Sequence, residues 1–139
     1  MKELAETLRV IMVTPEKEVY NGEAAMVILP AFYGEMGVLL KHMTIMVALR
    51  CGEVRIKTSD GVKSYVVDGG LAEVTGKIVK VLANFAEDMS KVDPEGASRN
   101  IVEFESLLEN AELTGSEQDR IKSEILKCKT MIKISERLH

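Results

Sequence analysis

The sequence predicts a β + α chain: an N-terminal antiparallel β-sandwich followed by a C-terminal antiparallel two-helix hairpin. Three observations carry this expectation. Short β-prone runs punctuated by glycine fill residues 8–86, the apolar period changes after Asp93-Pro94, and Gly115-Ser116 divides the helical pattern that follows. The boundary falls near residue 88, giving a sandwich domain over 1–88 and a helical hairpin over 89–139.

Taken in order, Leu8 to Val13 is a first strand that stops at Thr14-Pro15, and Ala25 to Leu29 a second that stops at Pro30. Proline lacks the N–H that a strand ladder needs, so it marks a strand end or an edge. Gly34-Glu35-Met36-Gly37-Val38 reads as a glycine turn after Pro30. Ile45 to Leu49 and Val54 to Lys57 are separated by Cys51-Gly52, and the run Val54-Arg55-Ile56-Lys57 alternates apolar with charged residues. That alternation is the period of a half-buried strand. Asp60-Gly61 between Lys57 and Val62 signals a hairpin. Val62 to Val67, Leu71 to Val74 and Ile78 to Ala83 complete the series, the last two joined at Thr75-Gly76. Gly69-Gly70 marks a tight turn or a close approach of backbones. Many short strands at this spacing predict a sandwich or flattened barrel.

Beyond Asp93-Pro94, residues Ala97, Ile101, Phe104, Leu108 and Ala111 recur at steps of four and three, one stripe of a helix. Asp93 is the expected N-cap, with Pro94 in the first turn. Ser116-Glu117-Gln118-Asp119 resembles a capping box for a second helix, whose stripe is Ile121, Ile125, Cys128 and Ile132. The short connection between the stripes makes the two helices antiparallel neighbours.

Composition narrows the function. At 139 residues with 46% hydrophobic residues the chain buries a core without staples, and with only 4% aromatics that core is aliphatic. A net charge of −4 argues against nucleic acid as a partner. Cys51 and Cys128 lie in regions of different character without metal-type spacing, which favours two free thiols. The charged start Met1-Lys2-Glu3 is unlike a signal peptide, and the longest apolar run, Ala24 to Tyr33, is too short for a bilayer. Membrane attachment would therefore run through a partner, with no direct lipid insertion.

No catalytic constellation stands out. The two histidines, His42 and His139, cannot make a histidine-rich metal site, and no Cys–His cluster replaces one. Gly34-x-x-Gly37 and Gly69-Gly70 do not open helices, so they are poor phosphate cradles. Glu35 and Glu73 read as solvated strand-edge carboxylates rather than an acid pair. His42 reads as a packed structural residue more than a pH switch. Met36, Met43 and Met46 suit either core or an adaptable contact surface. The first helix carries six acids against Arg99 alone, while the second carries Arg120, Lys122, Lys127, Lys129, Lys133 and Arg137 against four acids. These charges read either as two solvated faces in weak attraction or as a basic helix offered to an acidic partner. Charge alone favours the first, since exposed pairs contribute little.

The ordered set Leu8-Arg9-Val10, Val13-Thr14-Pro15, Tyr20-Asn21-Gly22, Gly34-Glu35-Met36-Gly37-Val38, His42, Gly69-Gly70, Glu73-Val74 and Val81-Leu82-Ala83, followed by a helical hairpin, resembles the epsilon subunit of bacterial F-type ATP synthases. The resemblance covers essentially the whole chain. It implies a noncatalytic, cofactor-free subunit that turns with gamma in the central stalk. There it couples the membrane proton ring to the catalytic head, on the cytoplasmic face of the bacterial inner membrane. Tyr33, Gly34, Glu35 and Met36 would meet the polar loops of the c-subunit ring, and His42 would lie in the segment docking on gamma and the ring. Arg120, Lys122, Lys127 and Lys129 would face acidic loops of the beta subunits beside alpha, which favours the second reading of the charges and a restraint on ATP hydrolysis.

The chain departs from the family pattern in two places. Leu40-Lys41-His42-Met43-Thr44 stands where relatives carry Pro-Gly-His-Ala-Pro, so two backbone N–H groups are regained. ATP-sensing relatives open the helical region with Ile/Leu-Asp-x-x-Arg-Ala, but here Asp93 and Ala97 bracket Gly96 in the arginine's place. ATP binding is therefore not expected. The competing classes are a stand-alone sandwich adaptor and a small-ligand carrier.

Overall fold

Ten strands, a short 3-10 turn and two helices make up residues 7–41 and 43–138, the part of the chain that the computed structural model describes. They divide into two compact units between Asp88 and Met89.

The first unit is one continuous sheet folded over on itself as a sandwich. Its strands are β1 (Leu8–Val13), β2 (Glu18–Ala24), β3 (Met26–Ala31), β4 (Gly34–Val38), β5 (Ile45–Leu49), β6 (Gly52–Thr58), β7 (Gly61–Val67), β8 (Gly70–Val74), β9 (Ile78–Ala83) and β10 (Ala86–Asp88). They hydrogen-bond in the order β10-β7-β6-β3-β5-β8-β9-β1-β2, with β4 off this path and paired with β3. Alternation drives the folding. Leu8, Val10 and Met12 of β1 and Val79, Val81 and Ala83 of β9 turn inward, while Arg9 and Lys80 face out. Val27, Leu29, Val54, Ile56, Val47 and Val74 come from the other strands to the same core. Each such side chain, withdrawn fully from water, contributes roughly 2 kcal/mol.

Three strand features depart from the sequence reading. β2 and β10 were not expected, and Gly34–Val38 is a strand rather than a turn. The turn lies one step earlier, at Phe32-Tyr33, because Ala31 and Gly34 pair across it. Gly34 has φ 135°, so the backbone excursion that a tight hairpin needs falls on the residue just after the loop. Finally, β1 and β9 pair in parallel, Arg9 to Ile78 through Val13 to Leu82, whereas the other described pairs are antiparallel. The expected hairpin is present: Thr58 pairs with Gly61 around Ser59-Asp60, and Thr58 Oγ1 accepts from the Asp60 N–H at 3.2 Å. Gly70 is the close approach that the glycine pair suggested. A Cβ there would sit 2.2 Å from the Leu82 carbonyl oxygen.

The second unit holds the 3-10 turn Met89–Lys91, α1 (Pro94–Leu108) and α2 (Gly115–Leu138), with the helices packed on each other. Asp93 caps α1 as expected, its carboxylate accepting the Glu95 N–H at 3.1 Å, with Pro94 in the first turn. Ala97 is buried and Ile101, Phe104 and Leu108 are half-buried, but Ala111 lies past the helix end and is exposed. Ile121, Ile125 and Cys128 form the buried stripe of α2, with Ile132 half-buried. The capping box is two residues earlier than expected, at Thr114-x-x-Glu117, because Gly115 already belongs to the helix. Cys51 is half-buried and Cys128 buried, and no disulfide joins them.

Candidate functional site

The β3–β4 hairpin projects Phe32 and Tyr33 from the sandwich at 67% and 90% exposure, against the general tendency of aromatics to be buried. Nothing lies within 4 Å of where a Gly34 side chain would begin, so the backbone is bare beside them. The strand then alternates. Glu35 faces outward, while Met36 packs against the core and takes no part in the exposed tip. Of the three methionines left open by the sequence, Met36 is thus a core residue, whereas Met43 and Met46 are exposed. His42 lies outside the described residues.

Glu35 is engaged by a residue the sequence reading did not single out. Arg55 of β6 donates from Nη1 to Glu35 Oε2 at 2.9 Å and from Nη2 to Glu35 Oε1 at 3.0 Å, a forked pair. Its Nη1 also donates to Glu53 Oε1 at 3.0 Å, and the Ser64 hydroxyl bonds the other oxygen of Glu53. The Glu35 bonds, reinforced by Glu53, raise the Arg55 guanidinium above its ordinary value despite partial desolvation. Register explains the meeting. Ile28 pairs with Gly37 on one side and Arg55 on the other, and Pro30 pairs with Glu35, so Arg55 and Glu35 lie diagonally across β3, two residues apart in register. Alternation in Val54-Arg55-Ile56-Lys57 marked Arg55 as outward-facing, but nothing local named its partner.

The basic candidates on α2 do not form one face. At 3.6 residues per turn, Lys122 and Lys129 share one line of the helix and Arg120 and Lys127 another. The two lines flank the buried Ile121–Ile125–Cys128 stripe on opposite sides. Lys127 pairs with Glu124 at 3.1 Å, whereas Arg120, Lys122 and Lys129 are exposed and enter no ion pair among the described residues.

At the head of α1, Asp93 serves as the cap and its second oxygen lies 3.6 Å from Arg99 Nη2. Arg99 reaches back over Gly96. A Cβ at Gly96 would come 2.8 Å from the Asp93 carboxylate and 3.6 Å from the Arg99 guanidinium. Ala97 is buried beneath. Among the described residues, no cluster of His, Cys, Asp and Glu is arranged to hold a metal ion, and no helix is long and apolar enough to cross a membrane.

The chain is thus of the class that joins a β-sandwich bearing an exposed aromatic hairpin to a capped two-helix unit. Residues 7–89 match the family described as ATP synthase, Delta/Epsilon chain, beta-sandwich domain. The chain is 36% identical over 118 residues to the ATP synthase epsilon chain of Gloeothece citriformis, covering 85% of this chain and 86% of that one. It is 37% identical over 93 residues to the sodium ion specific ATP synthase epsilon chain of Propionigenium modestum, covering 67% and 68%. Among solved structures, a chain of the Euglena gracilis mitochondrial ATP synthase, in an assembly described as OSCP/F1/c-ring, superposes with TM-score 0.78 at 17% identity, covering 99% of this chain and 85% of that one. The chain belongs to the ATP synthase epsilon chain family, and this favours the rotary-subunit reading over the stand-alone adaptor.

Proposed function

We propose that this chain is a noncatalytic rotor component of an F-type ATP synthase, peripheral to the membrane on the cytoplasmic face of the bacterial inner membrane. The sandwich docks on gamma and on the c-ring, and through them couples ion passage in the ring to ATP synthesis in the alpha–beta head. The carrying observation is the family match over residues 7–89 together with relatives named as epsilon chains across most of the chain's length.

The geometry supports a division of labour. The rigid, aliphatic-cored sandwich transmits torque without deforming, since close-packed interiors compress little. Its β3–β4 turn, with Tyr33 and Gly34 at the tip, supplies the contact with the ring. The exposed bases of α2 supply a reversible electrostatic contact with acidic beta-subunit loops, which restrains ATP hydrolysis. Such contacts are weak singly and screened by salt, properties suited to a brake that must release.

The test is reconstitution of the full chain with alpha, beta and gamma subunits. The chain is expected to co-purify with gamma and to lower ATP hydrolysis, and a chain ending at Asp88 to co-purify equally while hydrolysis rises. Failure of the full chain to join gamma would refute the assignment. Equal hydrolysis with either chain would refute the braking role alone.

A further inference from the structure

We infer that Arg55 is the positioning residue of the β3–β4 hairpin, and that the surface this hairpin offers to the ring is the Phe32–Tyr33 pair rather than the Glu35 carboxylate. The inference rests on the reading of that turn as the ring contact and refines its chemistry. An acid at the end of an apolar strand suggests a charged handle for a basic partner. The geometry points elsewhere, because both oxygens of Glu35 are taken by the Arg55 fork at 2.9 and 3.0 Å. A forked carboxylate–guanidinium pair fixes direction as well as distance. Arg55 is itself anchored by Glu53 at 3.0 Å, and Glu53 in turn by Ser64 on β7.

The consequence is mechanical. Among the described residues β4 hydrogen-bonds to β3 alone, so no described strand holds its other edge. The Arg55–Glu35 pair ties β4 across β3 to β6 and, through Glu53 and Ser64, to β7. It holds the strand at Glu35, two residues from Tyr33, and so sets where the two rings point. It also cancels the Glu35 charge locally. A partner surface closing over the hairpin then desolvates a paired carboxylate rather than a lone one, the remaining negative charge of the Arg55–Glu35–Glu53 group lying with the buried Glu53, and this is far less costly. The complementary surface is therefore apolar or polar and uncharged, one on which two exposed rings can bury area.

The test uses the full chain and the detergent-solubilised c-ring, with binding measured beside amide hydrogen exchange of the free chain over Gly34–Val38. Glu35→Gln keeps the side chain's size and leaves Arg55 with Glu53, so the fold is retained while the fork is lost. It is expected to speed exchange in β4 about tenfold and to weaken ring binding by a similar factor. Arg55→Gln should do the same, and the double variant no more than either single one, since Glu35 acts only through Arg55. Tyr33→Ser should weaken binding with exchange unchanged. If Glu35→Gln weakens binding without altering exchange, Glu35 touches the partner directly and the inference is overturned. It is overturned equally if Glu35→Gln changes neither. Unaltered binding by Tyr33→Ser would instead refute the ring contact at this turn, leaving the exchange result to decide the role of Arg55.

Discussion

Thr114 and Glu117 exchange hydrogen bonds at the head of α2. The Glu117 N–H donates to Thr114 Oγ1 at 3.1 Å, and the Thr114 N–H donates to Glu117 Oε1 at 2.9 Å. This reciprocal box satisfies two donors that the first turn of a helix otherwise leaves to water. Replacing Thr114 by Ala should destabilise the helical unit by about 1 kcal/mol, read as a lower midpoint in urea unfolding followed by helical circular dichroism.

The same pair predicts a pH dependence. The hydrogen bond from the Thr114 backbone, then that from its side chain, holds the Glu117 carboxyl below its ordinary value. A depressed folded-state value means the contribution is present above the ordinary glutamate range and is lost as pH falls through the folded value. Glu117→Gln should therefore be less stable than the unmodified chain at neutral pH, with the difference closing in acid. A difference that stayed constant down to strongly acid pH would show that ionisation of Glu117 has no part in the cap.

A third prediction concerns Lys41, which has φ 67°, while its N–H donates to the Gly76 carbonyl at 2.7 Å. Residues with a Cβ adopt this left-handed conformation at a cost of roughly 1–2 kcal/mol, and lysine offers no local hydrogen bond in return. Glycine removes the strain but gains freedom in the unfolded chain, which offsets part of the benefit. Lys41→Gly should stabilise the sandwich by about 0.5 kcal/mol, measured as a raised urea midpoint. A lowered midpoint would mean that the Lys41 side chain contributes more than its backbone conformation costs.

Much of the architecture was legible because local chemistry and final structure agree. Asp93-Pro94 carries its capping chemistry in the local sequence, and Leu8, Val10 and Met12 alternate as a strand with one buried face must. β2 escaped notice because Glu18, Asn21, Gly22 and Glu23 break any apolar rhythm. Its strand character comes from pairing with β1, which only the folded chain supplies. The parallel pairing of β1 with β9 joins the two ends of the sandwich and leaves no local mark. The same holds at the candidate site. Tyr33 and Glu35 could be singled out by their positions near glycines, but Arg55 lies 20 residues from Glu35, and only strand register brings them together. Likewise, counting bases along α2 does not show that helix geometry divides them between two flanks.

ATP supplies a fourth prediction. Asp93 is committed to the α1 cap and Arg99 lies against it across Gly96, both side chains largely in water. An arginine spent on a neighbouring carboxylate is not poised for a triphosphate, and Gly96 brings no side chain of its own. If ATP bound with a dissociation constant of about 10 μM, about 1 mM of it would stabilise the chain by roughly 2.7 kcal/mol, a shift that a thermal melt detects easily. No shift is expected, and Arg99→Ala should change stability by less than about 0.5 kcal/mol because the pair is exposed. A clear ATP-dependent rise in the melting temperature, abolished by Arg99→Ala, would show that Arg99 does the work of the missing arginine.

The two flanks of α2 make the braking role separable by side. Lys122 and Lys129 lie on one line, exposed and outside any ion pair among the described residues, whereas Lys127 on the other flank is already occupied by Glu124. A base without an intramolecular partner gives more to an acidic neighbour, since no existing pair must be broken. Reversing Lys122 and Lys129 together to Glu should therefore raise ATP hydrolysis of the reconstituted complex more than reversing Arg120 and Lys127. Each exposed contact is worth at most about 1 kcal/mol, so the expected release is severalfold rather than complete. Raising ionic strength should release the unmodified complex and change the Lys122–Lys129 reversal less, because part of the attraction that salt screens is already gone. Equal release from both reversals would mean that α2 is read by its overall charge, and no release from either would mean that these bases do not carry the restraint.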